Sequence, residues 1–129
     1  MSTPPDHPLQ PLSILMQTLK DRAANLPEGS YTTTLLRGGV AKIGAKIREE
    51  AEEMVEAADE SGDEGRSHFV YETGDLLYHA MVMMAHRGVT LDEVAAELGR
   101  RHGVGGLVEK ASRGGGPTVE ATGIGGESR

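Results

Sequence analysis

The chain has no cysteine, no tryptophan, one phenylalanine and three tyrosines in 129 residues. Without cysteine there is neither a disulfide nor a thiolate ligand, so any metal must sit on oxygen or imidazole. With aromatics at 3% the core has to be assembled from Leu, Val, Ile, Met and Ala, a set that favours packed helices. Long apolar runs are also missing. No stretch approaches the roughly 20 residues that a membrane-spanning helix needs, and the N-terminus lacks the basic-then-apolar order of a signal peptide, so the expected location is cytoplasmic. Basic residues are outnumbered, 13 Lys and Arg against 20 Asp and Glu, for a net charge of −7. That balance speaks against nucleic-acid or anionic-membrane partners, both of which select basic patches. An acidic protein that handles a polyphosphate needs cations as intermediaries.

What is present is the pattern of a single helical domain, as the length suggests. Residues 1–8, with three prolines, are expected to be a flexible arm. From Gln10, apolar Leu12, Leu15, Met16 and Leu19 recur at helical spacing until Pro27 stops the run. Ser30 is placed to cap a short helix that Gly38-Gly39 ends. A long helix from Val40 to about Glu60 follows, with Val40, Ile43, Ile47, Ala51, Met54 and Ala58 in one stripe. Ser61-Gly62-Asp63-Glu64-Gly65 is a turn signal. The next helix, about Arg66 to Arg87, is apolar nearly all round and hence expected to be buried, with Met81, Met83 and Met84 in the core or at a subunit interface. Gly88 makes its stop, and Thr90-Leu91-Asp92-Glu93 reads as a capping box opening a last helix that ends near Gly103. The Gly-rich stretch 114–129 is expected to be disordered. The fold class is therefore all-α, a bundle of four to five helices, with enough apolar surface to assemble as a dimer.

Two acidic pairs carry the chemistry. In Glu49-Glu50-Ala51-Glu52-Glu53 the wheel puts Glu50 about 70° from the middle of the apolar stripe, between Ile43 and Ala57, and Glu53 about 60° further out. A solvated face explains such a run equally well. The second pair interrupts a helix otherwise suited to the core: Glu72, Asp75 and His79 lie within about 60° of one another, with His68 close to the same line. For His79 a structural hydrogen-bond network is the simpler account. An antiparallel hairpin brings Glu50 and Glu53 face to face with Glu72 and Asp75. Four carboxylates do not stay ionised together in a partly buried cleft without cations. Magnesium suits them: it takes carboxylate oxygen and water, leaves room for phosphate oxygens and activates a bound water.

The run Glu49-Glu50-x-x-Glu53 followed by Glu72-x-x-Asp75 resembles the magnesium motif of the all-α, MazG-like nucleotide pyrophosphohydrolases. More narrowly, Glu28-Gly29-Ser30-Tyr31-Thr32, Lys46-Ile47-Arg48-Glu49-Glu50-Ala51-x-Glu53, Asp75-Leu76-Leu77-Tyr78-His79, Arg87-Gly88-Val89 and Leu107-x-Glu109-Lys110-x-Ser112-Arg113 resemble the phosphoribosyl-ATP pyrophosphohydrolases. The likeness runs from about Leu12 to Arg113 and departs from the family pattern at Arg48, Gly74 and Gly105-Gly106, where loop geometry is expected to differ. It implies an all-α pyrophosphohydrolase domain over residues 9–113 that assembles as a homodimer. The implied reaction is magnesium-dependent hydrolysis of phosphoribosyl-ATP between the α and β phosphates, giving phosphoribosyl-AMP and pyrophosphate, the second step of histidine biosynthesis. Glu50, Glu53, Glu72 and Asp75 then hold magnesium, with Glu49 a second-metal ligand or a general base. Lys46, Arg101, Lys110 and Arg113 are the candidates for meeting phosphate charge, and each also reads as a surface charge. Tyr31 and Thr32 are candidates for contacting phosphate or ribose, although a helix cap accounts for a hydroxyl there as well. Two rival readings are a house-cleaning pyrophosphohydrolase of another nucleoside triphosphate and a non-catalytic helical interaction protein.

Overall fold

The computed structural model describes residues 6–103. Among them are four helices and no strand: α1 (Gln10–Asn25), α2 (Tyr31–Ala58), α3 (Gly62–Arg87) and α4 (Leu91–His102). The expected all-α architecture is what forms. None of these helices is long and apolar enough to cross a membrane.

Local chemistry sets the ends of the helices. Pro11 sits in the first turn of α1, where its missing N–H costs nothing, and the helix closes on Leu26, whose N–H bonds the Arg22 carbonyl at 2.7 Å just before Pro27. Ser30 caps α2 as its position suggested, its hydroxyl accepting from the Thr33 N–H at 3.3 Å. The short and long helices expected on either side of Gly38-Gly39 both form, as two parts of α2 that meet at a kink at Gly39, at φ 70 and ψ −162. That conformation is open almost solely to glycine, so the break falls where the sequence put it. Helix α3 starts at Gly62, inside the stretch expected to be turn, and Asp63 and Glu64 occupy its first turn, where carboxylates favour the positive end of the helix dipole. At its far end Gly88 N–H bonds Ala85 O at 3.1 Å and Val89 N–H bonds Met84 O at 2.8 Å, a Schellman closure. Arg48 and Gly74, two of the departures from the family pattern, lie within α2 and α3 and so disturb no loop. Gly105-Gly106 lies outside the described residues, as do residues 1–5 of the expected arm and the whole of 114–129.

The apolar core joins Met16 and Leu19 of α1 to Leu35, Leu36 and Ile43 of α2 and to Met81, Val82 and Ala85 of α3. Burying each large side chain of this kind is worth about 1.5–3 kcal/mol. Met83 and Met84 pack half-buried against the same cluster. The core therefore occupies one end of the α2–α3 hairpin, made from the first half of α2 and the second half of α3. Toward the turn the buried positions change character: Glu50 and Ala57 on α2, Gly65 and Glu72 on α3. The stripe expected on α2 is thus rotated, for Val40 is 63% exposed and Ala58 is exposed, whereas Ile43, Glu50 and Ala57 are buried. Buried positions seven residues apart form a seam of the kind by which two helices pack side by side. The chain divides into two compact units after Leu91, so that α1–α3 belong to the first and α4 from Asp92 onward to the second.

Candidate active site

The seam of α2 runs through Ile43, Glu50 and Ala57, and that of α3 through Gly65, Glu72 and His79. Counted outward from Ser61 in the turn, the three positions on one helix are equidistant with the three on the other. An antiparallel hairpin with this symmetry puts Glu50 and Glu72 at the same level. Both are inside: Glu50 is 5% exposed and Glu72 8%. Asp75 and Glu53 are half-buried beside them, and Glu49 is exposed. The structure brings all five sequence-derived carboxylates together, in two groups that share Glu50: Glu49, Glu50 and Glu53, and Glu50, Glu72 and Asp75, each with ligand oxygens within 4.8 Å of one another.

Like charges at that distance are costly. At a separation of 4.8 Å each ionised pair repels by about 3 kcal/mol at an effective dielectric constant of 20. The strain is visible in the proton affinities. Burial, reinforced by Asp75 and Glu53, pushes the Glu50 carboxyl from 4.5 up to about 7, against the opposing pull of Lys46. Burial also raises Glu53, with Glu72 as the next cause. Among the described ion pairs, Lys46 meets the cluster with its Nζ 3.3 Å from Glu49 and 3.9 Å from Glu50, and the His68 ring, a cation only when protonated, meets Glu72 at 3.0 Å. Its ammonium is held above its ordinary pKa by the bond to Glu49, with smaller contributions from Tyr31 and Glu50. One lysine does not neutralise five carboxylates. Among the described residues, Oε1 of Glu50 and Oε1 of Glu72 are buried without a hydrogen-bond partner. Buried acceptors are almost always satisfied, and two bare carboxylate oxygens in an all-oxygen cluster are the donor set that a hard divalent cation takes.

Histidines and hydroxyls frame the cluster. His79 is 5% exposed, and its Nδ1 lies 2.9 Å from the Asp75 carbonyl oxygen while its Nε2 lies 3.3 Å from the Tyr31 hydroxyl. A carbonyl only accepts, so Nδ1 carries the proton and Nε2 of the neutral ring accepts from Tyr31. This is the structural network expected for His79, and it leaves the lone pairs of the half-exposed Tyr31 oxygen for other partners. Thr32 is buried, with its hydroxyl bonded to that of Tyr78. Sequence reasoning placed His68 on the line of Glu72 but gave it no role, and put Glu60 at the end of the long helix. The structure joins them: His68 lies between Glu60 and Glu72, and its pKa is raised by its bonds to both. The signal was the i, i+4 spacing of His68 and Glu72; the approach of Glu60 needed the turn geometry. Arg101 belongs to α4, whose Glu97 bonds Arg100 at 2.6 Å and lies 4.0 Å from Arg101. Lys110 and Arg113, with Glu109 between Leu107 and Lys110, lie outside the described residues.

Carboxylate pairs facing each other from the two arms of a helical hairpin, beside an apolar core, are consistent with the resemblance to the all-α, MazG-like pyrophosphohydrolases. Residues 12–102 match the family described as phosphoribosyl-ATP pyrophosphohydrolase, and the chain belongs to that family. It is similar to a phosphoribosyl-ATP pyrophosphatase of Rhodopirellula baltica, 68% identical over 105 residues that cover 81% of this chain and 88% of the relative. Relatives of the same name from Rhodobacter capsulatus and Trichlorobacter lovleyi are 47% and 45% identical. The first match covers 80% of this chain and 97% of the relative, the second 79% and 92%.

Proposed function

We propose that this chain hydrolyses phosphoribosyl-ATP between its α and β phosphates to phosphoribosyl-AMP and pyrophosphate, the second step of histidine biosynthesis. It works in the cytoplasm as a magnesium-dependent homodimer. Family membership supports the reaction. The observation that carries the chemistry is the pair of buried, partnerless Oε1 atoms of Glu50 and Glu72 at one level of the α2–α3 hairpin.

Glu50, Glu53, Glu72 and Asp75 would hold magnesium, and Glu49, which groups with Glu50 and Glu53, would join a second cation. Bound there, magnesium neutralises phosphate charge and makes water a usable nucleophile. The chain's own groups do the rest. The buried carboxylates fix where the triphosphate docks, because an anion approaches an acidic cleft only at its cations. Lys46, poised against Glu49 and Glu50, can turn its ammonium from carboxylate to phosphate without leaving the site. Arg101, Lys110 and Arg113 supply further charge-assisted donors, strongest as bidentate guanidinium contacts. The Tyr31 oxygen, whose proton is committed to His79, accepts from a substrate hydroxyl.

The test is release of pyrophosphate from phosphoribosyl-ATP beside ordinary nucleoside triphosphates, with magnesium and with chelator. Preference for phosphoribosyl-ATP and dependence on magnesium are expected. Preference for an ordinary triphosphate would make the chain a house-cleaning enzyme, and no turnover of any triphosphate would make it a binding protein.

A further inference from the structure

His68 is not one of the clustered carboxylates, yet it touches one of them. Its Nε2 lies 3.0 Å from Oε2 of Glu72, one helical turn away, and its Nδ1 lies 3.0 and 3.1 Å from the two carboxylate oxygens of Glu60. Glu60 stands between the end of α2 and the start of α3, so the imidazole links the hairpin turn to a buried residue of α3. It engages only one oxygen of Glu72. The other, Oε1, is buried without a hydrogen-bond partner among the described residues, in a residue whose carboxylate gathers with those of Glu50 and Asp75 within 4.8 Å.

A glutamate side chain has several torsions to freeze before it can serve as a ligand, and freezing them costs free energy. A neighbour that holds one oxygen in advance removes part of that cost. We propose that His68 is a positioning residue for the cation site: braced by Glu60, it holds Oε2 of Glu72 and so directs Oε1 into the carboxylate cluster. The inference rests on the cation reading of that cluster. Groups that orient a metal ligand from behind typically account for about 10–100-fold in metal affinity. A staple that merely closes the hairpin turn predicts something else, a lower melting temperature with cation affinity unchanged.

The experiment titrates Mn2+ into the full chain and reads free ion by electron paramagnetic resonance. It compares the unaltered protein, Glu72→Gln, His68→Ala, His68→Gln and Glu60→Gln, each with a metal-free thermal melt. Glu72→Gln should lose tight binding. His68→Ala should bind roughly 10-fold more weakly or worse, Glu60→Gln should fall between, and His68→Gln, which keeps a donor toward Glu72, should recover much of the loss. The magnesium concentration for half-maximal turnover should shift in the same order, while KM for the nucleotide at saturating magnesium stays put. If His68→Ala binds Mn2+ as the unaltered protein does, whatever its melting temperature, the proposal fails and the cation site stands. If His68→Ala does not fold, Glu60→Gln carries the test by the same criterion. If the unaltered protein does not bind Mn2+, or Glu72→Gln binds it equally well, the cation reading fails and the role of His68 with it.

Discussion

At the scale of the residue, Glu50 is where burial and charge conflict most sharply. Its carboxyl has a pKa of about 7 in the fold against an ordinary 4.5, so the folded protein holds this proton more tightly than the unfolded chain. The stabilising contribution is therefore complete below about pH 4.5 and is lost as the pH rises through 7, on the order of 3 kcal/mol in all for the metal-free protein. Glu50→Gln cannot ionise and should flatten this part of the stability profile. Magnesium binds the ionised form, so the stabilisation it gives should grow over the same window. Thermal melts from pH 4.5 to 8, with magnesium and with chelator, check both statements. The same logic applies to Glu72→Gln and Asp75→Asn, which keep shape and remove charge. Turnover should drop by roughly 100-fold or more, because metal activation of water is lost. Metal-free stability should hold or rise as repulsion is relieved, and the stabilisation by added magnesium should shrink. Variants that melt early yet turn over normally at low temperature would sink the assignment.

At the scale of the element, the α2–α3 hairpin works only if its two arms stay in register. Gly65 is buried where the arms meet, and a Cβ there would lie 2.7 Å from the backbone carbon and oxygen of Glu60. Backbone cannot swing aside as a side chain can. Gly65→Ala should cost about 1–3 kcal/mol, measured by urea denaturation, and should weaken Mg2+ binding by displacing Glu60 and the turn. Gly74 makes the opposite case. It is exposed within α3 and a Cβ would meet nothing within 4 Å, so only backbone entropy is at stake. Gly74→Ala should stabilise by roughly 0.5–1 kcal/mol with turnover unaltered. Equal effects of the two substitutions would show that close approach at Gly65 does not control the hairpin.

At the scale of the whole molecule, apolar surface and chain length make the remaining predictions. Val55, Val70 and Tyr71, at 60%, 60% and 66% exposure, stand on the outer faces of α2 and α3. Such side chains on a lone subunit are surface that a second copy can cover. Light scattering on the full chain at micromolar concentration should give twice the 13.7 kDa chain mass, and Tyr71→Glu should shift it toward one. A monomer throughout would remove the homodimer from the proposed function. Residues 107–113 carry the Glu109-Lys110-x-Ser112-Arg113 block, which resembles the family pattern, whereas the stretch after them is mostly glycine and polar residues. Deleting 115–129 should leave turnover nearly intact, and deleting from 107 onward should abolish it. Equal loss from both truncations would place the boundary of the working domain elsewhere.

Much of this protein could be read before any fold was seen. Helix ends were legible because local chemistry decides them: Pro11 and Pro27, the Ser30 cap, the glycine pair at 38 and 39, Gly88. Glu72 and Asp75 stood out because an acidic pair at i, i+3 spacing interrupts a helix otherwise fit for a core, whereas for Glu50 and Glu53 a solvated face was an equal reading and Glu49 entered only through the family resemblance. The stripe of α2 was misjudged, since averaging apolar residues around a wheel gives no weight to a glutamate. The fold, by contrast, buries Glu50 in line with Ile43 and Ala57. That choice is tertiary: the level at which α2 meets α3 is fixed by the turn at Ser61 and by the apolar cluster at the other end of the hairpin. The same cause lies behind what no local pattern showed, the engagement of Thr32 with Tyr78, the Tyr31–His79 bond and the bridge from Glu60 through His68 to Glu72. Sequence by itself determined which residues had the chemistry. Packing of one helix against another decided which of their atoms were left without partners, and so where the proposed cation would sit.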